Sequence, residues 1–142
     1  MPEQKRAVFG VSLVVRWGDM DINGHVNNAV YSTYFEQARV AWFDSVVFAG
    51  HRERERGYVV ARIACNFLKP ITYPATLWVS AAPGKPGRTS FPLFQAIHAE
   101  RPDGEKLAEA EITMVHVDRR TGKSEPLPEW LRKVFLKPPG GS

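Results

Sequence analysis

The segment from about residue 29 to residue 48 constrains the fold more than any other part of this chain. At 100° per residue, its apolar side chains fall within one broad arc of a helix, and most of its polar side chains fall on the opposite side. Val40, Phe43 and Val47 interrupt that polar side, so we expect the helix to be buried on more than one flank. Such a helix would be roughly 30 Å long and needs a surface wide enough to cover it.

The remaining sequence predicts five strands joined largely by short turns. The strand patterns occupy residues 9–16, 58–68, 75–82, 88–100 and 105–118. Short turns such as Pro83–Gly87 cannot make parallel crossovers, so the strands must be mostly antiparallel. A sheet can bury one apolar helix most simply by curling around it. The predicted class is therefore α+β, with an antiparallel sheet of about five strands wrapped around one long helix.

Length and composition indicate a single domain that needs neither disulfides nor a metal. The 142 residues suit one domain, with about residues 8–136 ordered and the low-complexity tail at 137–142 disordered. Hydrophobic residues make up 44%, which is enough for one core. Cys65 is the only cysteine, so no internal disulfide can form and a cytoplasmic location is expected. The four histidines show no zinc-like spacing, so no metal is expected.

The charge pattern argues against nucleic-acid and membrane partners. The formal net charge is +4, and the densest basic run, His51–Arg56, is interleaved with acids rather than forming a basic face. No stretch approaches the roughly 20 apolar residues that span a bilayer, and the charged N-terminus lacks the apolar run of a signal peptide. An anionic small molecule fits this mild positive charge equally well.

Residues 19–28, DMDINGHVNN, form a loop dense in Asp, Asn and Gly directly ahead of the helix. Asn27 or Asn28 is well placed to cap that helix. The N-terminus of a helix offers backbone N–H groups without internal partners, together with the positive end of the helix dipole. A carbonyl group lying over Asn28 could therefore be polarised there, close to Asp21 and His25.

Several short motifs along the chain point to the same protein family. The most specific one combines two carboxylates, a glycine turn, a histidine and an asparagine pair ahead of a helix. The motifs are Val15–Asp21, Gly24–Asn28, Tyr31, Tyr34–Arg39, Asn66–Ile71, Gly87–Phe91 and Val115–Asp118. Over about residues 10–132 the chain thus resembles the 4-hydroxybenzoyl-CoA thioesterase family of hot-dog proteins. The resemblance implies a sheet around a central helix, a homodimer or homotetramer, and hydrolysis of acyl-CoA to free acid and CoA. CoA is then part of the substrate, and no separate cofactor is expected.

The resemblance implies that Asp21 is the catalytic carboxylate, because it matches the second aspartate of the family's Asp-x-Asp element. A thioester needs a nucleophile or a general base, plus a group that stabilises the oxygen as it becomes negative. Asp21 fits either role, and both stay open. The spacing of Asp21, Asn23 and His25 also resembles plant acyl-carrier-protein thioesterases, which implies that His25 orients a water or the carboxylate and that Asn23 assists. A loop-stabilising role is the alternative for His25 and is the expected role of Asp19.

A second set of residues is expected to bind the substrate. The set comprises Asn28, Asn66, Phe67, Lys85, Arg88, Thr89 and Ser90. Arginine binds phosphate bidentately, so Arg88 suits the nucleotide of CoA, and the hydroxyls of Thr89 and Ser90 can follow the pantetheine arm. Lys85 suits a phosphate or an ordinary solvated turn equally well. Asn66 is expected to approach the site from a partner subunit.

Two other functions remain open on the same fold. The sequence DINGH at Asp21–His25 faintly resembles the Asp-Asn-His cluster of hot-dog enoyl-CoA hydratases, although its histidine follows the asparagine by two positions rather than three. The proline-rich histidine motif of the dehydratases is missing. A non-catalytic acyl-CoA binding protein is the other alternative, because a fold alone does not establish activity. The aromatic residues near the loop suit aromatic and medium aliphatic acyl groups equally.

Overall fold

Five strands and one long helix dominate the described part of the chain, residues 8–49 and 53–136, in this computed structural model. The strands are β1 (Phe9–Val14), β2 (Arg56–Phe67), β3 (Thr76–Pro83), β4 (Ser90–Ala99) and β5 (Lys106–Asp118). Helix α1 (Asn28–Trp42) continues through a wider π-helical turn (Phe43–Val47), and a short helix α2 (Glu129–Phe135) follows the last strand. The predicted fold class is confirmed. The tail predicted to be disordered, at 137–142, lies outside the described residues.

The strands form one antiparallel sheet in the order β1-β3-β4-β5-β2. Short turns make β3, β4 and β5 neighbours in sequence and in space. The chain instead leaves β1, passes through α1 and returns at the opposite edge as β2, so the helix crosses one face of the sheet. Its main contacts are with β1, β3 and β4, which leaves the β2 edge less covered. None of the described helices is long and apolar enough to cross a membrane.

A buried polar contact fixes α1 on the sheet. Gln95 points from β4 toward the helix and is buried. Its Nε2 donates to the Phe35 carbonyl oxygen at 2.9 Å, and its Oε1 accepts from Arg39 Nη1 at 3.3 Å. Burial lowers the pKa of Arg39, which lies 4.0 Å from the carboxylate of the exposed Glu36. Because buried polar groups are costly unless they are paired, this contact favours one position of the helix and of its N-terminus.

Strand β2 lies at an edge of the sheet and exposes apolar side chains on the helix side. Val60, Ile63 and Phe67 lie opposite buried residues of β5, so they face the same side of the sheet as the core. They are nevertheless 39%, 45% and 52% exposed. Natural proteins usually cover or blunt a long apolar edge of this kind. The described part of the chain leaves this one open.

Candidate active site

The segment between β1 and α1 folds into a small hairpin that carries Asp21. Met20 and Val26 form an isolated antiparallel bridge, and the Asp21 N–H donates to the His25 carbonyl oxygen at 3.0 Å. Gly24 closes the turn by donating its N–H to the Asp21 carbonyl oxygen at 3.0 Å. Its φ is +81°, a conformation that glycine adopts readily because it has no Cβ. The turn therefore places Asp21 and His25 side by side just ahead of the helix.

Both oxygens of the Asp21 carboxylate accept a hydrogen bond. Oδ1 accepts the backbone N–H of Asn23 at 2.8 Å, and Oδ2 accepts from Nδ2 of Asn27 at 3.0 Å. The amide oxygen of Asn27 in turn accepts the Ala29 N–H at 2.8 Å, so Asn27 is the cap of α1 and the predicted capping is confirmed. A carboxylate offers about four lone-pair sites. The half-buried Asp21 thus has acceptor capacity left for a substrate or a water.

Asp19 stabilises its loop through the Arg16 N–H, as predicted, and it also ties the hairpin to the helix, which was not predicted. Its buried carboxylate accepts hydrogen bonds from the Tyr34 hydroxyl at 2.8 Å, the Arg16 N–H at 2.9 Å and the Arg16 side chain at 3.2 Å. Its carbonyl oxygen accepts the Asn27 N–H at 3.0 Å. Burial by itself favours the neutral acid, but these hydrogen bonds outweigh it and lower the pKa of Asp19. Burial and the bond to Asp19 raise the pKa of Tyr34, so an ionised carboxylate meets a neutral phenol.

The first N–H groups of α1 are nearly all accounted for by the hairpin and the cap. The Asn27 N–H donates to Asp19, the Ala29 N–H to the Asn27 side chain, and the Val30 N–H to the Asn27 carbonyl oxygen. Within residues 8–49 and 53–136, the Asn28 N–H meets no protein acceptor. Asn28 is therefore the position from which a backbone N–H can donate to a bound carbonyl.

A shallow depression of about 290 Å³ lies beside Asn28. Its lining includes His25, Asn28, Tyr31, Phe67 and Lys69. The rings of Tyr31 and Phe67 pack edge to face with their centroids 4.9 Å apart, and burial raises the pKa of Tyr31. The hairpin, the helix and the end of β2 thus bring three of the predicted residues, His25, Asn28 and Phe67, to one place next to Asp21.

Asn66 lies on the other face of the sheet from its neighbour Phe67. Side chains alternate along a strand, and Asn66 pairs with Glu109 on the side away from the helix. Its Nδ2 donates to the Glu109 carboxylate at 3.4 Å. Within one chain, Asn66 is therefore not brought to the hairpin.

The predicted CoA-binding group, Lys85 to Ser90, lies at the far end of the sheet. Ser90 pairs with Val115 of β5, whereas Phe67 pairs with Ala108 of the same strand. The two positions are seven residues apart, or roughly 23 Å at about 3.3 Å per residue. The group cannot meet Asp21 within one chain.

Two side chains near the hairpin were not predicted as site residues. The sequence indicates Asn27 only as a possible helix cap, because its bond to Asp21 forms only when the hairpin is folded. Lys69 lines the depression and forms an ion pair with Glu105. Its signal in the sequence is its place directly after the strand pattern at residues 58–68.

Two larger depressions lie away from the hairpin. One, of about 440 Å³, lies on the outer face of the sheet, and the other, of about 380 Å³, lies at the C-terminal end of α1. Among the described residues, no three His, Cys, Asp or Glu side chains converge into a possible metal site.

The sheet, the helix and the hairpin together define a hot-dog protein with a carboxylate at the N-terminus of its central helix. A family model described as the thioesterase-like superfamily matches residues 15–135. The match spans most of the chain, so the chain belongs to the thioesterase-like superfamily. The resemblance found in the sequence, and with it the expected class of enzyme, is confirmed.

Individual relatives match this chain over nearly their whole lengths. The long-chain acyl-CoA thioesterase FadM of Escherichia coli (strain K12) is 32% identical over 120 residues, which are 84% of this chain and 90% of that protein. The PA2801 protein of Pseudomonas aeruginosa is 35% identical, with a TM-score of 0.80 over 91% of this chain and 98% of that one. A thioesterase of Thermus thermophilus, complexed with coenzyme A and Zn, is 31% identical, with a TM-score of 0.77 over 90% and 97%.

Proposed function

We propose that this protein hydrolyses acyl-CoA thioesters to the free acid and CoA, with Asp21 as the reacting carboxylate. The observation that carries the proposal is the position of Asp21. Its two oxygens are held by Asn23 and Asn27 at the helix N-terminus. The residue after Asn27 is Asn28, which lines the neighbouring depression together with His25. A nucleophile or base and a donor for the developing oxyanion are the two elements that acyl transfer needs.

The chemical step follows from this arrangement. The thioester carbonyl oxygen accepts the Asn28 N–H, and the positive end of the α1 dipole stabilises the negative charge that develops on it. Asp21 either attacks the carbonyl carbon, giving an anhydride that water then opens, or removes a proton from an attacking water. In both routes the carbon–sulfur bond breaks and CoA leaves as its thiolate. His25 lines the depression, where it can orient the water, and Asn23 holds the carboxylate through its backbone.

The complete site is proposed to lie between two subunits. If the open edge of β2 pairs antiparallel with β2 of a second copy, the start of each β2 lies beside the end of its partner. The end of the partner's sheet that carries Lys85 and Arg88 then lies beside the hairpin with Asp21. This pairing also covers the exposed side chains of Val60 and Ile63. It reconciles the separation of roughly 23 Å within one chain with a single substrate that contacts both groups.

The substrate is proposed to be an acyl group joined to CoA rather than CoA alone. FadM is named as a long-chain acyl-CoA thioesterase, and the Thermus thermophilus thioesterase was solved with CoA. The apolar wall made by Tyr31 and Phe67 suits an aliphatic or an aromatic acyl group. Arg88, Thr89 and Ser90 of the partner subunit are assigned to the nucleotide and pantetheine. A cytoplasmic location, where acyl-CoA is available, fits the lone Cys65.

The test is Asp21→Asn, assayed by thiol release from short, medium, long and aromatic acyl-CoAs. Asparagine keeps the shape but lacks both the nucleophilic charge and the basicity, so we expect a loss of at least about 10²-fold in kcat. Asp103→Asn is the matched control, because Asp103 is an exposed carboxylate in the β4–β5 turn. A retained activity above about a tenth of wild type would remove Asp21 from this role. Hydration of crotonyl-CoA without thiol release would instead identify a hydratase.

A further inference from the structure

We infer that Asn27 is a positioning residue for Asp21, in addition to being the helix cap. The inference rests on the proposed function, because it concerns the carboxylate assigned there to catalysis. Asn27 lies on the same short hairpin but makes its side-chain contacts in two directions. One goes to the helix and the other to Asp21.

The orientation of the Asn27 amide is fixed by its two partners. The Ala29 N–H needs an acceptor, and the amide oxygen supplies it at 2.8 Å. The amide nitrogen then points at Oδ2 of Asp21, 3.0 Å away. The reverse orientation would set an amide oxygen against a carboxylate and an N–H against an N–H, so it satisfies neither partner.

The backbone of Asn27 is held as firmly as its side chain. Its N–H donates to the Asp19 carbonyl oxygen at 3.0 Å, and its own carbonyl oxygen accepts the Val30 N–H at 2.9 Å. Four hydrogen bonds therefore place this residue between the hairpin and the first turn of α1. Movement of Asn27 relative to either one would break at least one of them.

These bonds fix the position of the Asp21 carboxylate relative to the backbone N–H of Asn28. The Asn27 bond holds one oxygen of Asp21, and the next residue, Asn28, carries the N–H that would polarise the carbonyl. A carboxylate rotated away from the position that Asn27 fixes would no longer face the carbonyl carbon. Displacement by about 1 Å can cost on the order of a hundredfold in rate.

Variants at this position separate capping from positioning. Serine and aspartate cap helices about as well as asparagine. Asn27→Ser lacks the reach of the amide nitrogen, and Asn27→Asp puts an acceptor where Asp21 needs a donor. Asn27→Asp also adds negative charge at the positive end of the helix dipole, which favours the fold. Asn27→Ser should therefore keep the unfolding midpoint while removing the bond to Asp21. In Asn27→Asp, repulsion between the new carboxylate and Asp21 opposes the favourable charge at the helix end, so its midpoint measures the balance of the two effects.

The first experiment measures kcat, KM and the thermal midpoint of the full-length wild type and both variants. We expect kcat to fall about tenfold or more in both, with KM within about twofold, because the Asn27 side chain is not part of the lining of the depression. Ile112→Val, which removes a buried methyl group from the core, is the control for stability loss and should keep wild-type kcat. Wild-type kcat in both Asn27 variants, or an equal fall in Ile112→Val, would overturn the inference.

The second experiment needs no substrate. In ¹⁵N–¹H spectra, Asp21→Asn should shift the side-chain amide signals of Asn27 much more than those of Asn66, which bonds to Glu109 instead. Unchanged Asn27 signals would show that the bond to Asp21 does not form, and would overturn the inference. If wild type releases no thiol from any acyl-CoA, the proposed function fails, and this spectrum still decides whether Asn27 holds Asp21.

Discussion

Replacing Tyr34 by phenylalanine removes one of the hydrogen bonds that tie the hairpin to α1. The Tyr34 hydroxyl donates at 2.8 Å to the buried carboxylate of Asp19, and both side chains are at most 5% exposed. A hydrogen bond to a charged group contributes roughly 1.5–3 kcal/mol, and phenylalanine keeps the ring and its packing. We therefore expect the free energy of unfolding at pH 7 to fall by about 2 kcal/mol.

The pH dependence of that loss identifies Asp19 as the partner. Because the folded state lowers the pKa of Asp19, its contribution is complete above the pKa of an unfolded aspartate, about 3.9. It is lost as the pH falls through the lower pKa of the folded state. The difference between wild type and Tyr34→Phe should accordingly shrink as the pH falls from about 4 toward the lowered pKa of folded Asp19, below which a neutral acid replaces the carboxylate.

Urea unfolding at several pH values measures this difference, at one protein concentration because association affects apparent stability. Tyr58→Phe is the matched control. Tyr58 packs among aromatic rings, and within the described residues its hydroxyl has no carboxylate hydrogen-bond partner. We expect this control to change stability by less than about 0.5 kcal/mol. A loss in Tyr34→Phe that is as small, or that stays constant from pH 7 to pH 3, would refute the reasoning.

Two further predictions concern the proposed dimer. Arg88→Ala should raise KM for acyl-CoA with little change in kcat, because a contact with the distant phosphates binds ground and transition states alike. On an acyl-pantetheine thioester it should behave as wild type, and an equal defect on both substrates would remove Arg88 from the nucleotide. Ile63→Lys should weaken the dimer, because lysine places a charge at the open β2 edge, where the Ile63 side chain is 45% exposed. Light scattering that shows an active wild-type monomer at low concentration would refute the dimer itself.

The sequence predicts the elements of this fold well because their patterns are local. The helical arc from residue 29 and the five strand patterns depend on neighbours a few positions apart, and turn residues mark their ends. The helix was expected to run unchanged to residue 48, whereas the structure has a π-helical turn from Phe43. That difference has a local reason in the apolar residues Phe43 and Val47, which pack inward on a flank that an ideal helix would leave polar.

The sequence predicts which residues meet within the hairpin, but it does not predict which distant residues join them. Asp21, His25 and Asn28 lie within eight consecutive positions, so their proximity depends on one turn. Whether Arg88 is near them depends on which edge β2 occupies and on the register of β4 with β5, and no local pattern encodes either. Strand alternation alone does predict that Asn66 and Phe67 face opposite sides, so only one of them can contact a given site within one chain.

The position of Arg88 at the opposite end of the sheet from Asp21 has a genetic consequence. In the proposed dimer, each site draws its carboxylate from one subunit and its nucleotide contact from the other. A mixed dimer of an Asp21→Asn chain and an Arg88→Ala chain then has one site with both defects and one site with neither. Two alleles that are each defective on their own would complement one another when co-expressed. If one chain carries both substitutions and its partner is wild type, one site lacks the carboxylate and the other lacks the arginine. Both sites of that mixed dimer would then be impaired.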